Sequence, residues 1–192
     1  MKVDIEWIQK NIPLYQVVDC FFAGSSHGYA GGGKYIPVDQ ISGMKCFTYN
    51  VEYPQLGYDL RFSDAYVSLG PESGGYSVIS LVRTTVSCDP VPLWLMQYEG
   101  KELSKDPAII GLLKEALLSN YSAKVFRGGR GPAQVVSNNF PELCYENRLN
   151  INVRPGIGNG FSAFSGTEVV IRPDQSTEFY HNYNGKLLVE LK

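Results

Sequence analysis

Apolar residues first recur at helical spacing near the start of the chain. Leu14, Val17, Val18, Phe21 and Phe22 fall at i, i+3, i+4, i+7 and i+8, which predicts a helix from about Leu14 to Ala23. Pro13 suits its entry and Gly24 its termination. A short helical turn over Val3–Lys10 precedes it. From Lys45 the period changes to two. Phe47, Tyr49, Val51 and Tyr53 alternate with Thr48, Asn50 and Glu52, which predicts a half-buried strand. After a turn over Pro54–Gly57, Tyr58, Leu60, Phe62, Asp64 and Tyr66 share one face of a second strand. Glycine-rich and Asp-Pro turns then separate strands over Tyr76–Ser87 and Leu93–Glu99.

A second round follows. Asp106-Pro107 is an N-cap followed by a proline at the first helical position. Ile109, Ile110, Leu112, Leu113, Ala116, Leu117 and Leu118 cover most of that helix, which is expected to be largely buried and to end near Tyr121. Alternation from Leu143 to Val153, a turn over Pro155–Gly160, and strands over Phe161–Ile171, Thr177–Tyr183 and Lys186–Leu191 complete a second meander. Residues 75–103 also align without a gap on residues 160–188, with Gly75/Gly160, Ser77/Ser162, Ser80/Ser165, Asp89/Asp174, Tyr98/Tyr183, Gly100/Gly185, Lys101/Lys186 and Leu103/Leu188 identical. The expected fold is α+β: a single domain of two tandem helix-plus-antiparallel-meander units, about 14–103 and 106–191, forming a pseudo-duplicated and strongly twisted antiparallel sheet. The alignment sets Arg83 against Glu168. This implies either that the equivalent surfaces meet across the pseudo-symmetry or that both are exposed.

Composition narrows the function classes. Apolar residues make up 44% of the 192, enough for a sizeable core. A formal charge of -2 gives no global basic field for nucleic acid or an anionic membrane, and neither is expected as a partner. Met1-Lys2-Val3-Asp4-Ile5-Glu6 does not read as a secretion signal, and no apolar run approaches a membrane span, so a cytoplasmic location is expected. The four cysteines are scattered without a CxxC pair, and only His27 and His181 could assist a metal. Free thiols, no metal and no cofactor are expected.

Candidate chemistry is sparse. Gly28 to Lys34 matches a phosphate-binding loop by letters, but a helix precedes it, Tyr35 stands where a Ser or Thr belongs and Pro37 breaks a following helix; a tight bend is expected instead. Asp64 is a carboxylate in an aromatic row, so if buried it must be hydrogen-bonded or shifted in pKa. His181 shares a face with Phe179 and Tyr183 and is expected to be a hydrogen-bonded core residue. Arg127 and Arg130, in Arg127-Gly128-Gly129-Arg130-Gly131, are anion-binding candidates on a loop that otherwise reads as solvated.

Tyr29-Ala30-Gly31-Gly32-Gly33, Asp64-Ala65-Tyr66 and Pro92-Leu93-Trp94-Leu95-Met96-Gln97-Tyr98-Glu99-Gly100 resemble a bacterial family catalogued as domain of unknown function 5680. The resemblance runs over roughly residues 14–190, and Trp-x-Met-x-Tyr-x-Gly is its most distinctive part. Some members carry an N-terminal helix-turn-helix, which implies sensing or partner binding in those proteins. Arg83 departs from the acid usual in the first copy, while Glu168 keeps the acid in the second. The family implies no catalytic residue.

The reading preferred on these grounds is a non-enzymatic, sensor-like module holding a small molecule or peptide in an aromatic groove between the halves. Asp64, Tyr66, Trp94, Tyr98 and Arg83 are its binding candidates, with Arg61 directed away. Two other readings compete with it: a homo-oligomeric assembly protein pairing through sheet edges, or a hydrolase using Asp64 or Glu99 as base. Cys20 or Cys46 with His27 is the remaining nucleophile pair. No GxSxG, HExxH or triad is legible in the chain.

Overall fold

A computed structural model describes residues 4–39, 41–84, 89–150 and 160–191. Three helices lie with one nine-stranded antiparallel sheet that twists without closing, an α+β fold. The chain order is α1 (Ile5–Asn11), α2 (Leu14–His27), β1 (Ile36–Pro37), β2 (Met44–Tyr53), β3 (Tyr58–Leu69), β4 (Glu72–Arg83), β5 (Val91–Glu102), α3 (Pro107–Ser122), β6 (Gln134–Val136), β7 (Cys144–Asn150), β8 (Ala163–Ile171) and β9 (Thr177–Leu187). The sheet runs β1-β2-β3-β4-β5-β9-β8-β7-β6. Each half is therefore a meander, and the two join where β5 pairs with β9, Tyr98 directly opposite Tyr183.

Local chemistry explains the helices. The Asp4 carboxylate accepts from the Trp7 amide at 2.9 Å, and Asp106 accepts from the Ala108 amide at 2.9 Å, so α1 and α3 each satisfy an otherwise orphaned donor. α2 runs past the expected end at Ala23 and stops at Gly28. Gly24 does not terminate it. A Cβ there would sit 2.5 Å from the Phe62 Cβ, so this glycine brings the helix close to the sheet.

Period-2 alternation gave most strands their faces, because one side of an antiparallel sheet packs while the other meets water. Leu60, Phe62 and Asp64 of β3 are buried, as are Ser77, Ile79 and Leu81 of β4 opposite them. α2 lies over β2, β3 and β4, α3 over β7 and β8, and the two helices touch. Apolar residues from α1, α2, α3 and both meanders form one continuous cluster.

Several expectations change. β4 begins at Glu72 rather than Tyr76, because the reversal is confined to Gly70 and Pro71. The strands expected over Thr177–Tyr183 and Lys186–Leu191 merge into one, β9, which ends at Leu187 and leaves 188–191 outside the sheet; Asn184 and Gly185 stay in the ladder against Gln97 and Met96. β1 and β6 are additional short edge strands. The expected strand ends at 85–87 and 151–153, most of the turn at 155–160, and Cys88 lie outside the described residues. The gapless alignment also fails across β4 and β8. Ladder pairing sets Met96 opposite Ser77 but His181 opposite Glu168, so Ser77 occupies the position that the alignment gave to Arg83.

Trp94 was a binding candidate and is instead core. Its ring is fully buried and stacks on Phe161 (centroids 5.1 Å, 18°) and Phe164 (5.9 Å, 23°), while Nε1 donates to the Phe161 carbonyl at 3.2 Å. Trp94→Ala is expected to cost about 3–5 kcal/mol in urea unfolding; a loss below about 1 kcal/mol would be inconsistent with this packing.

Candidate functional site

A cavity of about 470 Å³ lies where α2 and α3 meet above the centre of the sheet. Tyr29, Tyr35, Phe62, Tyr66 and Tyr98 form its aromatic walls, and Leu113 and Leu117 of α3 line it as well. Gly43, Lys45, Ser68 and Pro71 also line it and are exposed, which marks its mouth. Two hydrogen-bonded polar centres stand in the wall, on either side of Tyr98.

The first is built on Asp64. The carboxylate is buried and accepts from Tyr35 Oη at 2.5 Å, Ser77 Oγ at 2.7 Å and Tyr98 Oη at 3.1 Å. Ser77 is its direct cross-strand neighbour, so β3–β4 register sets that bond. Burial first, and then the charge of Asp64, push the Tyr35 and Tyr98 phenols well above their ordinary range. Both hydroxyls therefore remain donors.

The second centre is built on Glu168, which is fully buried. Its Oε1 accepts from the Arg130 guanidinium and lies 3.1 Å from His181 Nδ1; its Oε2 accepts from Tyr145 Oη at 2.8 Å. Burial alone would raise the Glu168 carboxyl, but Arg130 and His181 outweigh it and hold it at about 2. Burial also lowers His181 below its ordinary 6.5, with Arg130 adding to the effect and Glu168 opposing it. A neutral His181 beside a charged Glu168 carries its proton on Nδ1 and donates it to Oε1. Nε2 is then an acceptor, 3.1 Å from Ser73 Oγ. The 3.3 Å approach of Arg130 Nη2 to Nδ1 is a contact between two donors.

Arg130 reaches this position through a turn. Gly128 and Gly129 have φ of +64° and +71°, values that side chains rarely adopt, and the segment folds under the helices instead of standing in solvent. Asn120 Nδ2 and Tyr121 Oη clamp it by donating to the Arg130 and Gly129 carbonyls at 2.7 and 2.9 Å. The guanidinium stands over the Tyr98 ring at 5.4 Å, and Arg130 Nε has no partner among the described residues.

Of the sequence candidates, Asp64, Tyr66, Tyr98 and Arg130 come together at this cavity. Arg83 does not; it lies over the Trp7 ring at 4.6 Å and fixes α1. Arg127 is exposed, whereas Arg130 follows the glycine turn inward and is buried. Glu99 faces the opposite side of the sheet, so it shares no site with Asp64. Cys20 is wholly buried and its thiol is pushed up to about 12 mainly by burial; His27 stacks on Tyr49 and bonds to the Ala23 carbonyl. Glu168 is buried, not exposed. Among the described residues no His, Cys, Asp and Glu cluster is arranged to hold a metal, and no helix is long and apolar enough to cross a membrane.

Sequence reasoning passed over Tyr35, Ser73, Ser77 and Tyr145. Each is an ordinary strand or loop residue until cross-strand register places it. Compared with family models, curated proteins and solved structures, the chain gives no match in any of the three.

Two members of the second centre, His181 and Glu168, make folding sensitive to acid in the same direction. The unfolded chain takes a proton on histidine at about 6.5, where folded His181 stays neutral, so that stability is complete above pH 6.5 and declines below it. Glu168 contributes fully above its ordinary 4.5 and loses its contribution as pH falls towards 2. The melting temperature is expected to drop in these two successive windows, and His181→Gln to remove the first; an unchanged profile in that variant would contradict the assignment. Arg130→Met, which strands the Glu168 charge, is expected to cost about 3–5 kcal/mol. Adding Glu168→Leu should recover part of that loss in the same denaturant titration.

Proposed function

We propose that this protein is a sensor-like binding module whose cavity between the helix pair and the sheet takes a small molecule. The observation that carries the reading is a 470 Å³ cavity in which buried Asp64 and Arg130 flank Tyr98, with Arg130 Nε unpaired among the described residues. Aromatic walls favour a ring-containing body. Arg130 calls for a hydrogen-bond acceptor on the ligand, best a carboxylate. The remaining lone-pair capacity of Asp64 accommodates a hydroxyl or ammonium donor.

A relationship to the domain of unknown function 5680 family belongs to this proposal, as does descent of the two halves from one duplicated unit. The meander-on-meander order and the Tyr98–Tyr183 pair support the latter. Assembly through sheet edges draws less support. β1 has two residues and ends in a proline without an N–H, and β6 has three, so neither edge offers a long ladder.

The test has two parts. Native mass spectrometry of the purified protein is expected to show retained small-molecule mass that leaves on denaturation. In thermal shift, 4-hydroxybenzoate, with donor and carboxylate on one ring, is expected to stabilise more than benzoate or benzylamine; occupancy at 100-fold over Kd raises stability by about 2.7 kcal/mol. Tyr66→Ala should abolish both signals with little change in unliganded stability. A protein that carries no extra mass and responds to none of the three probes would sink the reading.

A further inference from the structure

We propose that Ser73, His181 and Glu168 form a nucleophile relay that hydrolyses small acyl esters at the mouth of the cavity. Ser73 Oγ is 3.1 Å from His181 Nε2, and His181 Nδ1 is 3.1 Å from Glu168 Oε1. That is the arrangement in which a hydroxyl faces a base that a buried carboxylate orients. The three side chains come from β4, β9 and β8. Ser73 and His181 do not neighbour each other in the sheet; β5 lies between them, and both pair with Gly100. A Cβ on Gly100 would stand 2.3 Å from His181 Cδ2, so the glycine is what lets the imidazole cross β5 and reach Ser73.

Each part suits its task. Glu168 is fully buried, and Arg130 and Tyr145 fix both of its oxygens, so it holds His181 in the Nδ1–H tautomer. His181 is buried and lines the cavity together with Ser73. Ser73 is half-buried and lines the cavity beside the exposed Ser68 and Pro71, within reach of a molecule entering there. Arg130 beside Nδ1 disfavours a lasting imidazolium, which favours passing the proton onward.

The reaction follows from these positions. Ser73 Oγ bonds to the acyl carbon as its proton moves to Nε2. The tetrahedral centre collapses, the bond to the alcohol oxygen breaks, and His181 returns the proton to the departing alkoxide. Water then attacks the acyl-Ser73 ester, giving its proton to His181. The carboxylic acid leaves, and Ser73 recovers its proton.

The test is covalent labelling with a fluorophosphonate on the full chain, read by intact mass and peptide mapping, with p-nitrophenyl acetate turnover alongside. One adduct per chain at Ser73 is expected. Ser73→Ala should lose both adduct and turnover at unchanged melting temperature. His181→Gln should slow labelling by about 100-fold or more, as removal of a general base does. Ser73→Cys should react with iodoacetamide at a rate that also falls with His181→Gln, an effect that a purely structural Ser73–His181 bond would not produce. A folded protein left unlabelled at Ser73, or one labelled equally fast in His181→Gln, would overturn the relay. Ligand mass retained by Ser73→Ala would leave the binding reading standing in either case.

Discussion

Glu168 is a charge that has lost all its water, and the centre of this molecule is arranged around that fact. A lone carboxylate in such a place would be protonated or would prevent folding. Here Arg130, His181 and Tyr145 surround it and the charged form persists. Each of these partners requires structure of its own. Arg130 needs two left-handed glycines to turn beneath the helices. His181 needs Gly100 to lie across β5. Tyr145 also accepts the Gly131 amide proton at 2.9 Å and so holds the far end of the same turn.

The consequence is a polar seam through an otherwise apolar layer. On one side Trp94, Phe161 and Phe164 stack into continuous core. On the other, the helix pair does not close completely over the sheet, and the cavity occupies the gap. Asp64 faces it from the first meander and His181 from the second, with Glu168 buried behind His181, and Tyr98 stands between them with its hydroxyl on Asp64 and its ring under Arg130. The proposed binding and the proposed nucleophile chemistry both draw on one feature: polar groups kept rigid by mutual hydrogen bonds at the junction of the two halves.

Much of the secondary structure was legible in the chain because it follows local rules. Asp106-Pro107 announces a helix start by capping chemistry, and the alternation in β2 and β3 reports one packed face. Gly24 was misread because the same residue serves either as terminator or as contact point, and only Phe62 decides which. β1 and β6 carry too few residues for any period to show. Asp64, Tyr66, Tyr98 and Arg130 were legible as candidates from residue type and context. Trp94 looked like a groove residue for the same reason, since a large aromatic ring serves equally well in a core.

What the sequence determined by itself was the α+β class, most of the strands and their faces, and the unusual placement of an acid in an aromatic row. Periodicity and capping are short-range, so one stretch of chain suffices to express them. What only the tertiary structure decided was which side chains meet. Ser73 and His181 are 108 positions apart, and Arg130 and Glu168 are 38 apart. Their contact depends on strand register and on the glycines that let one strand's side chain cross another. A six-residue difference in pairing between β4–β5 and β8–β9 sets Ser77, not Arg83, at the place of Glu168. Ladder hydrogen bonds specify that choice, and they carry no signature in the order of residues along a single strand.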